Sequence, residues 1–168
     1  MSRARVSVCL CLLMWPAIGA AQNAPAAPAT LPLEALATCQ DSWLDWKDDP
    51  ARAARYGDAL RARFQQRRND AFFTPIAKAT ALGLPVTRVY PESVGMGVGF
   101  SLMVDAPFDK TKAAVETSLG KALTKCETGE GMRTCELAIA PKKTVMLLAD
   151  STGRQSSTLI GCFYYYEK

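Results

Sequence analysis

The chain has 168 residues, of which 20 are basic and 16 acidic, and it contains no histidine. The lack of histidine excludes histidine-activated nucleophiles, histidine general bases and the common zinc and copper sites. A formal net charge of +4, part of which comes from arginines near the N-terminus, is too small to favour a nucleic-acid-binding protein. We therefore expect no metal, no cofactor and no nucleic-acid partner.

Residues 1–21 have the three zones of a secretory signal peptide. A start with two arginines leads into a ten-residue apolar run at 6–15, and a proline and small residues follow. The run is shorter than the roughly 20 apolar residues that span a bilayer, so we predict cleavage and no membrane anchor. The predicted mature chain starts at Gln22, with Ala21 as the near alternative, and is periplasmic or secreted.

The rest of the chain divides into a short leader and one domain. Residues 22–31 are rich in alanine and proline and have little to bury, which predicts a disordered leader. Residues 32–168 have the length of a single domain. The first part of that domain is predicted to be helical, starting near Pro32 with a loose apolar set formed by Leu33, Leu36, Trp43 and Trp46.

A second helix is predicted to begin at Asp49, because an aspartate cap followed by Pro50 is a strong helix start. It is expected to run to Arg68, with one apolar stripe formed by Ala53, Tyr56, Leu60 and Phe64. Gly83 and Pro85 are read as the end of this helical half.

The second half of the domain changes to the period of strands. Strict alternation over 94–104 is the clearest strand signal, and 86–90 is expected to precede it as a strand. A helix at 108–119, ending at Gly120, separates these from a hairpin around residues 126–135 and from strands at 143–149 and 157–166. The last strand is apolar on both faces and is therefore expected inside the sheet.

This order predicts an α+β fold. In it, N-terminal helices and one further helix pack on a mainly antiparallel sheet of about five to six strands. The order of the strands is left open.

Four cysteines lie beyond residue 21, which predicts two disulfides. A turn centred on Glu130 and Gly131 places Cys126 opposite Cys135 at a non-hydrogen-bonded pair of a hairpin, where side chains approach most closely. Shifting the turn by one residue would misalign the two cysteines. We therefore predict the bridges Cys126–Cys135 and Cys39–Cys162.

Two motifs resemble functional ones without their structural context. The glycines at 95, 97 and 99 are followed by a strand, whereas a phosphate loop needs a helix directly after its glycines. Ser118 and Lys121 have the spacing of penicillin-recognising serine enzymes, but the serine lies at a helix end and Gly120 interrupts the turn. We predict no catalytic residue.

Two surfaces are candidates for binding. The connection that includes Tyr90, Glu92, Val94 and Met96 joins two strands beside a rigid proline, and methionine adapts well to recognition surfaces. The alternative is that Val94 and Met96 start the buried strand. On the second helix, Arg63 and Arg67 are the other candidates, as a site for an acidic partner; the alternative is a solvated face.

These features favour a non-catalytic binding protein of the cell envelope that contacts a protein partner, as an inhibitor or an immunity protein does. A carrier of a small apolar ligand, lodged between the helices and the glycine-rich side of the sheet, is the alternative. A small hydrolase using two carboxylates is a third possibility. The oligomeric state is left open.

Overall fold

A computed structural model of the protein describes residues 30–43, 49–91, 93–94, 97–152 and 156–164. The helices in these ranges are α1 (Leu33–Ala37), α2 (Pro50–Arg63) and α3 (Phe108–Leu119). The strands are β1 (Phe64–Gln65), β2 (Thr74–Pro75), β3 (Thr80–Ala81), β4 (Leu84–Tyr90), β5 (Ser93–Val94), β6 (Gly97–Val104), β7 (Lys125–Gly129), β8 (Met132–Ala140), β9 (Lys143–Asp150) and β10 (Thr158–Tyr164). No helix in the described ranges is long and apolar enough to cross a membrane.

One large antiparallel sheet holds most of the strands. Its order is β3-β4-β6-β10-β9-β8-β7, with β5 paired to β6 beside this row, while β1 and β2 form a separate ladder. The predicted α+β class and the antiparallel sheet are confirmed. The last strand lies inside the sheet, between β6 and β9, as its apolar faces indicated.

The predicted number of strands, five to six, is wrong, because seven strands lie in the main row. The additional strand is β3, which is two residues long and too short to show a period. It joins β4 through Leu82 and Gly83, whose φ angles of 56° and 69° form a two-residue turn. Gly83 is therefore a hairpin residue within the sheet and not the end of a helical half.

Both N-terminal helices are shorter than predicted. The first ends at Ala37, and Cys39 adopts a φ of 60°, which a helix does not tolerate; Trp43 is consequently not helical, and Trp46 lies outside the described residues. The helix α2 begins as predicted, with Asp49 accepting the N–H of Arg52, but it ends at Arg63 and not at Arg68.

The predicted strand at 94–104 is divided. Val94 belongs to β5 and pairs with Gly97 at the start of β6, while residues 95–96 lie outside the described ranges. At the other end of the domain, β10 spans Thr158–Tyr164, so the last two residues of the strand predicted at 157–166 lie outside the described ranges as well.

The β7–β8 hairpin has the predicted register. Glu130 and Gly131 form the turn with φ angles of 48° and 79°, and Cys126 pairs with Cys135. The two Cα atoms are 4.1 Å apart, as in a non-hydrogen-bonded pair, and the disulfide joins them. The second predicted bridge, Cys39–Cys162, is also present.

The sheet has two unlike faces. On the face that we call the helix-covered face, the central strands present fully buried side chains that share one hydrophobic cluster with residues of all three helices. The Cys39–Cys162 bridge links the segment after α1 to β10 on this face. Its fully buried side chains include Phe100, Leu102, Val104, Val145, Leu147, Ile160 and Cys162. We call the opposite side the second face.

Candidate functional site

A polar network joins the segment after α1 to α2. Tyr56 donates its hydroxyl hydrogen to Asp41 Oδ2, and Arg52 Nη1 lies 3.3 Å from Asp41 Oδ1. Burial, followed by the hydrogen bond to Asp41, raises the pKa of Tyr56 to about 12. The phenol therefore stays protonated at neutral pH and acts as a donor that holds the two segments together.

Three carboxyl groups have lowered pKa values. The guanidinium of Arg133 holds the pKa of Asp109 below its ordinary value, and Lys112 does the same for Glu116. Hydrogen bonds from the following turn lower the pKa of Asp150. A general acid needs the opposite shift. Within the described ranges, no group of three or more acidic or cysteine side chains is placed to hold a metal ion.

Basic side chains gather where α2 ends and the β1–β2 ladder begins. Arg63 is the last residue of α2, and its carbonyl oxygen accepts the N–H of Ile76 at 3.0 Å. Arg67 and Arg68 lie in the loop that connects β1 to β2, and Lys78 follows β2. These four cationic side chains are exposed and form no ion pair with another described residue.

An exposed apolar side chain lies next to two of these charges: Ile76 is 59 % exposed and pairs through its backbone with Arg63. A shallow cleft of about 170 Å³ is lined by Arg63, Ile76 and Lys78. The neighbouring acids do not neutralise the four cations: Asp58 is bound to Arg61 at 2.7 Å, and Asp70 forms no ion pair with a described residue. We call Arg63, Arg67, Arg68, Lys78 and Ile76 the arginine surface.

A larger cleft, of about 450 Å³, adjoins the same loop. The rings of Trp43 and Phe73 line it together with the side chains of Arg61 and Gln66 and with Pro91, which directly follows β4. Pro91 belongs to the connection that the sequence singled out, and Arg61 belongs to α2. The structure thus brings one end of the predicted loop close to the predicted arginine helix.

Of the four candidates in that connection, Tyr90 is the one whose side chain is described. It is half-buried, and its ring centroid lies 5.7 Å from that of Phe72. Val94 is described by its backbone pairing alone, and Glu92 and Met96 lie outside the described residues. The binding role of these residues stays a prediction.

The second face of the sheet carries Tyr90 and is largely apolar. Two buried apolar residues on it, Leu159 and Phe163, are 5 % and 4 % exposed but do not belong to the hydrophobic cluster of the helix-covered face. The strand register places two rows across β4, β6, β10, β9 and β8, namely Arg88, Met103, Leu159, Leu148 and Thr134, then Tyr90, Ser101, Gly161, Met146 and Glu136.

Our sequence interpretation missed the apolar character of this face. It treated the side of β6 that carries the glycines as nearly bare, although Met103 stands on that side and Met146, Leu148 and Phe163 stand on the same side of β9 and β10. The signal that could have found the surface is the apolar side chain at every second position of neighbouring strands.

Comparison of the chain with protein-family models, with curated proteins and with solved structures finds no match. The function is therefore argued from the geometry of the described residues.

Proposed function

We propose that the protein is an exported, non-catalytic binding protein, and that it holds an acidic protein partner in the cell envelope through the arginine surface. The observation that carries the proposal is the set of four exposed cations without an ion pair among the described residues, two of which, Arg63 and Lys78, line a cleft together with the exposed side chain of Ile76. Arginine beside an apolar contact is typical of the energetic centre of a protein interface.

The surface rests on a stiff base, which favours recognition. The β1–β2 ladder pairs Phe64 with Pro75, and Phe64 is 2 % exposed. Within the loop, Gln66 Nε2 donates to the carbonyl oxygen of Asp70 at 2.8 Å. A preorganised loop loses little conformational entropy on binding, so more of the contact energy remains for affinity. This arrangement suits an inhibitor or an immunity protein.

A protein partner agrees better with the charge distribution than a polyanion does. The net charge of the whole chain is +4, with 20 basic against 16 acidic residues, so the chain as a whole is only weakly basic. Binding to nucleic acid or another polyanion relies on broad basic surfaces that neutralise many phosphates. A small group of cations beside an exposed apolar side chain matches an acidic protein surface better than a long polyanion.

Export is supported by the predicted signal peptide and by the two disulfides, which are typical of oxidising compartments. N-terminal sequencing of the protein recovered from the periplasm or the medium tests it. We expect the chain to begin at Gln22 and to contain no free thiol. A chain that is retained uncut inside the cell would contradict the proposal.

The binding test compares two double charge reversals on the mature chain. Arg63→Glu with Arg67→Glu alters the arginine surface, whereas Lys110→Glu with Lys121→Glu, at two exposed positions, reverses the same amount of charge elsewhere. The binding partner is the envelope protein that the wild-type chain captures in a pull-down from envelope extract; we expect the first variant to lose about 100-fold in affinity for it, and the second to bind like the wild type. The affinity of the wild type should also fall as salt is added.

Competition separates a protein partner from other anions. We expect a peptide of glutamates to displace the partner at least as effectively as heparin of equal charge does at the same concentration. Equal loss in both double variants, or tight binding of heparin and duplex DNA alone, would overturn the proposal.

The alternative, a carrier of a small apolar ligand, has one observation in its favour, the cleft of about 450 Å³ between Trp43 and Phe73. The place that the sequence suggested was between the helices and the glycine-rich side of the sheet, but the described helices cover the other side, where Phe100 and Leu102 are both 0 % exposed. Native mass spectrometry of the purified protein tests this alternative, because an apolar ligand in the cleft would add its mass to that of the chain.

A further inference from the structure

The strand β7 is an open edge of the main sheet. It is the last of the seven strands in the row, and among the described residues it pairs with β8 alone. All five of its residues, Lys125–Gly129, are exposed. No described helix or loop therefore covers this edge, and an uncovered edge is a template on which a further strand can pair.

Two residues of β7 direct their backbone groups away from the sheet. Cys126 and Cys135 form a non-hydrogen-bonded pair with Cα atoms 4.1 Å apart, so the N–H and C=O of Cys126 point away from β8. Thr128, two residues further along the strand, has the same orientation. Within the described ranges, these two N–H and two C=O groups form no hydrogen bond. The edge thus offers two donors and two acceptors to a neighbouring strand.

The edge is held in its extended form before any partner arrives. The disulfide fixes Cys126 to β8 near one end, and the two-residue turn at Glu130 and Gly131 closes the other end. The turn itself is braced, because the N–H of Ser151 donates to the carbonyl oxygen of Gly131 at 2.9 Å. A strand that is already ordered loses little conformational entropy when it pairs.

The charges of β7 favour one register for a second copy. Antiparallel pairing through the outward groups with a two-fold axis at Lys125 would place lysine opposite lysine, and an axis at Glu127 would place glutamate opposite glutamate. Like charges directly opposite each other are unfavourable. An axis at Thr128 would require Cys126 to pair with Glu130, which belongs to the turn. An axis at Cys126 instead places Lys125 opposite Glu127 at two places.

The other contacts in that register are also favourable. Cys126 of each copy exchanges both backbone hydrogen bonds with Cys126 of the other, and Thr128 faces Thr124, which directly precedes β7. Lys125 and Glu127 form a non-hydrogen-bonded pair, in which opposed side chains approach most closely. Neither of these two charges forms an ion pair with another residue that the structure describes. Opposite-charge pairs and threonine pairs both stabilise neighbouring strands.

We propose that the protein forms a two-fold symmetric dimer, in which β7 of one copy pairs antiparallel with β7 of a second copy and the two rows of strands join into one sheet. Two Lys125–Glu127 pairs fix the register, since a symmetric interface repeats each contact. The proposal does not rest on the proposed function. The arginine surface stays available, because Lys78 lies two residues before β3, at the opposite edge of the row.

The test is analytical ultracentrifugation of the mature chain over a range of concentrations. We expect the wild type to dimerise as its concentration rises. Lys125→Glu and Glu127→Lys should each weaken the dimer by about 10-fold, because each reversal brings like charges together at two places. The double variant restores opposite charges and should dimerise like the wild type. Lys110→Glu, an exposed charge reversal on α3, is the matched control and should not change the association.

Hydrogen exchange of single amides, followed by NMR, gives a readout on the wild type alone. In the dilute monomer, the amides of Cys126 and Thr128 point outward and should exchange faster than that of Glu127, which faces β8. At dimeric concentration, we expect the exchange of Cys126 and Thr128 to slow by about 10-fold or more.

Three results would each overturn the proposal. The first is a wild type that stays monomeric at every concentration, including the case in which a different envelope protein pairs with β7 in its place. The second is a dimer that neither single charge reversal weakens. The third is a dimer in which the amides of Cys126 and Thr128 exchange as fast as they do in the monomer.

Discussion

Gly99, on β6, lies directly beside the backbone of β10. A Cβ at this position would lie 1.8 Å from the carbonyl oxygen of Cys162, which is a backbone atom and has little room to move. Gly129, on the edge strand β7, has nothing within 4 Å of the same position. The neighbouring strand therefore requires a glycine at position 99.

Replacing Gly99 by alanine should consequently cost about 3 kcal/mol of unfolding free energy, because the neighbouring backbone must shift. The same change at Gly129 should cost less than about 1 kcal/mol. Urea denaturation of the two variants measures this difference. Equal stability of the two would mean that β6 and β10 are further apart at this point than described.

The raised pKa of Tyr56 should make the unfolding free energy depend on pH in the alkaline range. Its pKa is raised in the folded protein from 10.0 to about 12, so the folded state holds the phenol proton more tightly than the unfolded chain does. The stabilisation from this group is fully present below pH 10 and is lost as the pH rises through about 12. We expect Tyr56→Phe to remove the late step from an ultraviolet titration of the tyrosines. An unchanged titration would contradict the network with Asp41.

The two disulfides differ in the length of chain that they close. Cys39 and Cys162 are separated by 123 residues, and Cys126 and Cys135 by 9. The loop-entropy account assigns about 5 kcal/mol to the long bridge and about 3 kcal/mol to the short one. Replacing each cysteine pair by alanines and measuring urea denaturation checks which bridge contributes more to the unfolding free energy. A larger loss from the short pair would show that the unfolded chain is already compact between α1 and β10.

Local signals made some elements predictable. The register of the β7–β8 hairpin could be predicted because only one position of the turn places its two cysteines opposite each other. The interior position of β10 could be predicted from the apolar residues on both of its faces. The start of α2 follows from Asp49 and Pro50. In each case, neighbouring residues in the sequence carry the whole signal.

Other features depend on contacts between distant segments. Phe64 continues the helical stripe of α2, yet it is extended because it pairs with Pro75 and fills the core. Arg63 and Arg67 could be chosen as cationic candidates from the sequence, but the β1–β2 ladder that connects this segment to Ile76 and Lys78 could not be predicted. Which side chains share the second face depends on the order of the strands in the sheet, and the sequence left that order open.

At the scale of the whole molecule, the position of each strand in the row predicts how fast its amides exchange. The strand β10 has two ladder partners and is buried over most of its length, whereas β7 is at an edge and is exposed at all of its residues. We expect the slowest hydrogen exchange in β10 and much faster exchange in β7. Mass spectrometry of exchanged peptides measures this, and uniform exchange across the row would contradict the topology.

The Cys39–Cys162 bridge has a consequence for the order of oxidation. An exported chain that emerges with its N-terminus first brings Cys39 into the oxidising compartment early and Cys162 last among the four cysteines beyond residue 21. In the meantime, the thiols available to Cys39 are those of Cys126 and Cys135. The tight turn at Glu130 and Gly131 lets the hairpin form within microseconds, which holds Cys126 and Cys135 beside each other and favours their reaction with each other over reaction with Cys39. The small bridge thereby protects the pairing of the large one, and a chain that misses this step needs thiol–disulfide exchange to recover.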